Sequence, residues 1–171
     1  MCEREAAAVP FEIRAAVPGD EVAIAGLIHE LAEYERLSDE CTVTPESLRA
    51  HLFAERPAVE ALVATSEGET VAYALFFSTF STFLGQPGLY LEDLYVKPAH
   101  RKRGIGGACL TALGRICRER GCARLEWAVL TWNELAARQY RKLGAAPLED
   151  WRTWRLTGEA LERLAQGSGG A

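Results

Sequence analysis

The sequence predicts an α+β or mixed α/β fold, one sheet with helices on its faces, and three observations carry that expectation. Its 171 residues, 49% hydrophobic and 25% charged, suit one domain with a sizeable core and exclude the disordered and fibrous classes. The order of elements is a strand, two helices and three strands, followed by helix and strand in alternation. Ser66-Glu67-Gly68-Glu69, between two β-rich runs, reads as a hairpin turn, so the strands around it are of antiparallel type. A single domain is expected over 9–165, with 166–171 a flexible tail by composition.

Phe11 to Ala16 reads as a short strand, and Val17-Pro18-Gly19-Asp20 supplies a turn and a cap. The helix that follows carries Ile24, Leu27, Ile28 and Leu31 at helical spacing and ends on the acidic Glu33-Tyr34-Glu35. Thr44-Pro45-Glu46 opens a second helix with proline at its first position, and Leu48, Leu52 and Phe53 form its apolar side. Val59 to Thr65, Thr70 to Phe80 and Leu89 to Val96 are strands, the last set off by Gly85 to Gly88. A helix from Gly104 to Arg120 buries Ile105, Leu110, Leu113 and Ile116 and stops at Gly121. Leu125 to Leu130 is a strand. Thr131-Trp132-Asn133-Glu134 matches a capping box, which starts a helix running to Leu143 with Gly144 as its left-handed stop. Trp151 to Leu156 is a last strand, and Thr157 to Ala165 a short helix.

Nineteen Lys plus Arg against 24 Asp plus Glu leave a net charge of -5, which argues against a nucleic-acid partner and favours a cationic ligand. The cysteines, Cys2, Cys41, Cys109, Cys117 and Cys122, are odd in number and form no C-x-x-C pair, so neither a disulfide framework nor a zinc ribbon is indicated. Cys109 and Cys117 read as small buried hydrophobes, and a reduced, cytoplasmic protein fits best. Met1 to Ala8 lacks the basic and apolar regions of a signal peptide, and no run approaches the 18 apolar residues of a membrane span.

The densest chemical signal is Arg101-Lys102-Arg103-Gly104-Ile105-Gly106-Gly107, between a strand end and a helix start. Glycines there let successive N–H groups face an anion, the helix dipole adds positive charge, and Lys97 and His100 lie on the same approach. A pyrophosphate suits such a loop, and so does a plain glycine-rich turn with a solvated basic face. The P-loop and dinucleotide fingerprints are both absent. In Tyr90-Leu91-Glu92-Asp93-Leu94-Tyr95-Val96, strict alternation places Glu92 with Tyr90, Leu94 and Val96. A carboxylate among apolar neighbours pairs with an arginine or has its pKa raised towards that of a base. Asn133 and Tyr140 lie two helical turns apart, about 10 Å along one stripe.

These stretches resemble the GNAT superfamily of N-acetyltransferases. The likeness is nearer still to the diamine (spermidine/spermine) acetyltransferases and their thialysine-acetylating relatives. It rests on Ile28 to Glu35, Tyr90 to Asp93, Gly104-Ile105-Gly106, Trp132-Asn133-Glu134 and Tyr140 to Ala145, and runs from about Phe11 to Leu164. The resemblance implies a mostly antiparallel twisted sheet of about six or seven strands, with acetyl-CoA as co-substrate and no metal. It also implies a small-molecule amine substrate and a homodimer.

By the same resemblance, backbone groups of Leu94, Tyr95 and Val96 pair with the pantetheine arm. Arg101, Lys102, Arg103, Gly104, Ile105, Gly106 and Gly107 wrap the pyrophosphate, and Asn133 contacts the pantetheine region. Tyr140 protonates the departing sulfur, Glu92 is the base, and Tyr34, Glu35, Asp93 and Trp132 line the amine channel. In one departure, Arg152-Thr153-Trp154 replaces the acidic residues that precede the last-strand tryptophan in diamine acetylases, with Glu149 and Asp150 displaced upstream. An arginine there repels a polycation and sets a thialysine-like or lysine-like amine beside the polyamines as substrate. A non-catalytic acyl-CoA-binding module and a peptide or protein acetyltransferase are the rival readings, the first disfavoured by the presence of both Glu92 and Tyr140. His29 and His51 read as surface or rim residues, and Trp127, Trp151 and Trp154 as core or interface aromatics.

Overall fold

The computed structural model describes residues 10–167. The expected domain start at residue 9, the reading of Met1 to Ala8 and four residues of the expected tail, 168–171, lie outside the described residues. The chain divides into two compact units, one ending at Ala128 and the other beginning at Val129.

The first unit holds a five-stranded sheet in the order β1-β2-β3-β4-β5. Its strands are β1 (Glu12–Ala15), β2 (Glu60–Ser66), β3 (Glu69–Ser81), β4 (Gln86–Val96) and β5 (Leu125–Trp127). β1 to β4 pair antiparallel, and β5 joins β4 in parallel. The helices are α1 (Glu21–Glu35), α2 (Pro45–Leu52) and α3 (Ile105–Glu119).

Local chemistry explains these elements. Thr44 caps α2 in a capping box, its Oγ1 accepting from the Ser47 amide at 3.2 Å while the Thr44 amide donates to Ser47 Oγ at 3.0 Å. The start of α1 is tied to α2 by the buried Glu21 carboxylate, which accepts from Arg49 Nη1 at 2.8 Å.

The two faces of the sheet carry separate cores. On one, Leu62 and Ala64 of β2, Ala72, Ala74 and Phe76 of β3, and Leu89 and Leu91 of β4 pack on Ile105, Cys109, Leu113 and Cys117 of α3. On the other, Ala61, Val63, Tyr73, Leu75 and Tyr95 meet Ile24, Ala25 and Leu27 of α1 and Leu48 and Leu52 of α2. Cys109 and Cys117 are buried, as small hydrophobes should be.

β4 departs from the strict alternation expected of it. Leu75 of β3 faces Asp93 and Phe76 faces Leu91, so Glu92 is the extra residue of a β-bulge. Leu91 therefore shares the α3 face with Leu94 and Val96, three residues on rather than two, and Asp93 shares the other face with Tyr95. The expectation that Glu92 lies among apolar neighbours is corrected: its side chain is exposed.

The second unit contains α4 (Glu134–Lys142) and α5 (Gly158–Ala165). The expected capping box at Thr131 does not form. Asn133, two residues later, is the cap, its side-chain oxygen accepting from the Ala136 amide at 3.2 Å, and asparagine caps at least as well as threonine. The expected strand Trp151 to Leu156 is not a strand, and β5 ends at Trp127 instead of Leu130, so the described sheet has five strands where six or seven are expected. Composition can mark a segment as strand-like, but only a neighbour's hydrogen bonds make it a strand, and Trp151 and Trp154 are both exposed.

Candidate active site

The bulge marks where the sheet opens. β5 pairs with β4 only at Leu89, Tyr90 and Leu91, and this parallel ladder stops at the residue before Glu92. Beyond it, from Glu92 to Val96, β4 keeps β3 on one edge, and no described strand occupies the other. That edge is a row of backbone donors and acceptors able to bind an extended amide-bearing chain as a strand would. The side chains of Leu94 and Val96 pack towards α3 and that of Tyr95 towards α1, so these residues can offer such a ligand only their backbone.

The strand leads into a turn at Pro98–His100 and then into α3. Gly104 caps α3 at φ +85°, in the left-handed region, and no side chain caps the helix. A Cβ at Gly107 would meet no atom within 4 Å, and one at Gly106 would only touch Val96 Cγ2 at 3.8 Å, so packing does not demand glycine at either position. The open space over the first amides of α3 fits an anion held by N–H groups and the helix dipole. Ile105 contributes its amide alone, because its side chain is core.

The cations of this loop are not all directed at a phosphate. Lys102 and Arg103 are exposed, but Lys97 pairs with Glu69 on β3. Arg101 turns inward: its Nε donates to the Val96 carbonyl at 2.9 Å, and its guanidinium lies 5.1 Å from the ring centre of Tyr34 and 5.5 Å from that of Tyr95.

On the α1 face, Asp93 is the enclosed carboxylate of the pair. Burial, with the charges of Glu92 and Glu35 added, pushes it up to about 6, against the downward pull of a hydrogen bond from the Tyr73 hydroxyl at 3.3 Å. Burial also raises Glu35 at the end of α1. The arrangement brings the charges of Glu35 and of Glu92, at the bulge, to bear on Asp93. Tyr73 and Glu30 escaped the sequence reading. Tyr73 is fully buried, and its hydroxyl, like any buried phenol, needs a partner. Glu30 Oε2 accepts from the Tyr95 hydroxyl at 3.1 Å.

Trp132, Asn133 and Tyr140 belong to the second unit. Trp132 is exposed. Tyr140 is half-buried on α4, and burial raises its phenol, which keeps the proton on at neutral pH.

The description "Acetyltransferase (GNAT) family" matches residues 27–145, most of the chain and both units. The chain belongs to the GNAT acetyltransferase family. Thialysine N-epsilon-acetyltransferase of Bos taurus is 42% identical over 164 residues, covering 90% of this chain and 96% of that protein. Spermidine/spermine N(1)-acetyltransferase-like protein 1 of Homo sapiens is 32% identical over 165 residues, which cover 91% of this chain and 24% of that protein. An integron cassette protein from the mobile metagenome of V. cholerae shares the fold at a TM-score of 0.77 and 24% identity, over 91% of this chain and 98% of that one.

This GNAT chain is therefore an N-acetyltransferase of a family that takes acetyl-CoA as co-substrate. The open half of β4 and the start of α3, which no side chain caps, have backbone groups that could hold two neighbouring parts of that molecule, its amide-bearing arm and its pyrophosphate. No described helix is long and apolar enough to cross a membrane.

Proposed function

We propose that the chain acetylates the side-chain amine of a thialysine-like or lysine-like amino acid, with polyamines as poorer substrates. The observation that carries this reading is the acid group Glu35, Glu92 and Asp93, set where β4 parts from β5. The 42% identity to a thialysine acetyltransferase over nearly the full length of both chains supports it. Arg152-Thr153-Trp154, in place of acidic residues, favours a substrate that carries its own carboxylate.

When bound, acetyl-CoA supplies an activated acetyl group as a thioester. Backbone groups of Leu94, Tyr95 and Val96 hold its arm along the open edge. The amides of Ile105, Gly106 and Gly107 hold its pyrophosphate, with Lys102 and Arg103 adding charge, and Asn133 contacts the arm. Tyr34 borders the amine, a role the family likeness also assigns to Trp132. A lysine-like amine has an ordinary pKa of about 10.4 and arrives as an ammonium, which Asp93 and Glu35 attract. Glu92, exposed at the bulge, takes its proton directly or through a water. The neutral amine then forms the amide bond as the carbon–sulfur bond breaks; Tyr140 protonates the departing sulfur and regains a proton from the one the nitrogen sheds on becoming an amide. The free thiols Cys41, Cys109, Cys117 and Cys122 suit a reducing cytoplasm, and the family likeness makes a homodimer the expected assembly.

The test is release of coenzyme A thiol from acetyl-CoA with thialysine, lysine, spermidine, putrescine and a short lysine peptide side by side. Thialysine turned over at least about tenfold more efficiently than spermidine supports the reading. The reverse order would show that Arg152 does not repel polycations.

A further inference from the structure

Arg101 stands where a phosphate-binding cation is expected, yet its contacts run the other way. Its Nε donates to the carbonyl of Val96, on the half of β4 assigned to coenzyme A. The same guanidinium faces the rings of Tyr95, at 5.5 Å, and Tyr34, at 5.1 Å. Tyr95 in turn donates to Glu30 at 3.1 Å. Glu30 and Tyr34 are four residues apart on α1, one helical turn, and Tyr34 precedes Glu35, an acid of the amine site. One planar side chain therefore touches the coenzyme end of β4 and the amine end of α1. Only a guanidinium can face two rings while its Nε–H remains free to hydrogen-bond in its plane, so lysine is not an equivalent.

We propose that Arg101 is a positioning residue that couples the two binding sites. Coenzyme binding along Val96 orders Arg101, Arg101 orders Tyr34 and the last turn of α1, and the amine then meets Glu35 already in place. By linkage the effect is reciprocal, so bound amine tightens coenzyme A by the same factor. The proposal rests on the acetyl-CoA and amine reading above.

Titration calorimetry on the full chain tests it with coenzyme A and thialysine, each alone and each with the other saturating. No acetyl group is present, so nothing turns over. The wild-type chain is expected to bind each ligand about five-fold or more tightly in the presence of the other. Arg101→Met, Arg101→Lys and Tyr34→Leu are each expected to bring that factor close to one, and Arg101→Met with Tyr34→Leu to lower it no further. Tyr34→Phe keeps the ring and is expected to keep the coupling. Because the readout is a ratio of affinities within one variant, a general loss of stability does not imitate it. Coupling that survives in Arg101→Lys or Tyr34→Leu, or wild-type affinities that ignore each other, would overturn the proposal. So would Arg101→Met that weakens coenzyme A binding while leaving the coupling intact, since Arg101 would then be a simple phosphate contact. A wild-type chain that binds neither ligand would instead refute the underlying functional reading.

Discussion

The two halves of β4 differ in what lies along their outer edge. Leu89, Tyr90 and Leu91 are hydrogen-bonded between β3 and β5, and Leu89 and Leu91 pack under α3. After the single extra residue Glu92, Asp93 to Val96 have β3 as their one partner strand among the described residues. The first half is scaffold. The second offers backbone groups, a carboxylate pushed up to about 6 and the entry to the α3 loop. A functional site can thus arise by withholding one strand's pairing at a defined residue while leaving the core beneath it untouched.

The largest effect is expected from erasing that difference. Deleting Glu92 removes the bulge yet leaves Leu91, Leu94 and Val96 on one face and Asp93 and Tyr95 on the other. The protein should fold with near wild-type urea stability, lose at least about tenfold in coenzyme A affinity, and fall 10²-fold or more in acetylation rate. Glu92→Gln, which keeps the bulge, should retain coenzyme A affinity and lose rate most at neutral pH. Equal coenzyme A affinity in the deletion would separate the bulge from cofactor binding.

Tyr140→Phe comes next and separates binding from chemistry. Its rate is expected to fall about 10²-fold, typical of a lost general acid, with coenzyme A affinity unchanged by calorimetry. An unaltered rate would remove Tyr140 from the mechanism.

The smallest effect concerns pH. Asp93 is raised from the ordinary carboxylate value to about 6, so between pH 4 and 6 the native state holds a proton that the unfolded chain releases. Its contribution to stability is complete below about pH 4 and is lost as pH rises through 6, on the order of 1 to 2 kcal/mol for a partly enclosed group. Asp93→Asn should flatten that part of the stability profile measured by urea midpoints, and should raise the amine KM above pH 6, where the wild-type carboxylate is charged. A profile identical to wild type would place Asp93 in ordinary solvent.

Much of this was legible in the sequence, because local signals fix local structure. The apolar period of α1 and α3, Thr44-Pro45 before α2 and the turn at Gly68 each stand where the chemistry of those residues puts them. The bulge was not legible. Leu91-Glu92-Asp93-Leu94 sets two acids between two leucines, which suits a plain strand with a leucine on each face or a bulged one with both leucines on the same face, and the choice depends on how β3 registers against it. The error at Glu92 follows from that, and with it the credit that belonged to Asp93 as the enclosed acid. Arg101 misled for a similar reason: a cation in a glycine-rich loop reads as phosphate-facing until Tyr34, far off in sequence, is brought beneath it. Trp151 to Leu156 has the composition of a strand, but composition names no partner.

Amide hydrogen exchange tests the division of β4 most directly. Without ligand, the amides of Leu89 to Leu91 should exchange slowly, and those of Asp93 to Val96 that point away from β3 should exchange quickly. Adding coenzyme A should slow the second group by about tenfold or more and leave the first unchanged. Fast exchange at Asp93 to Val96 that coenzyme A does not slow would contradict the assignment of this edge to the cofactor.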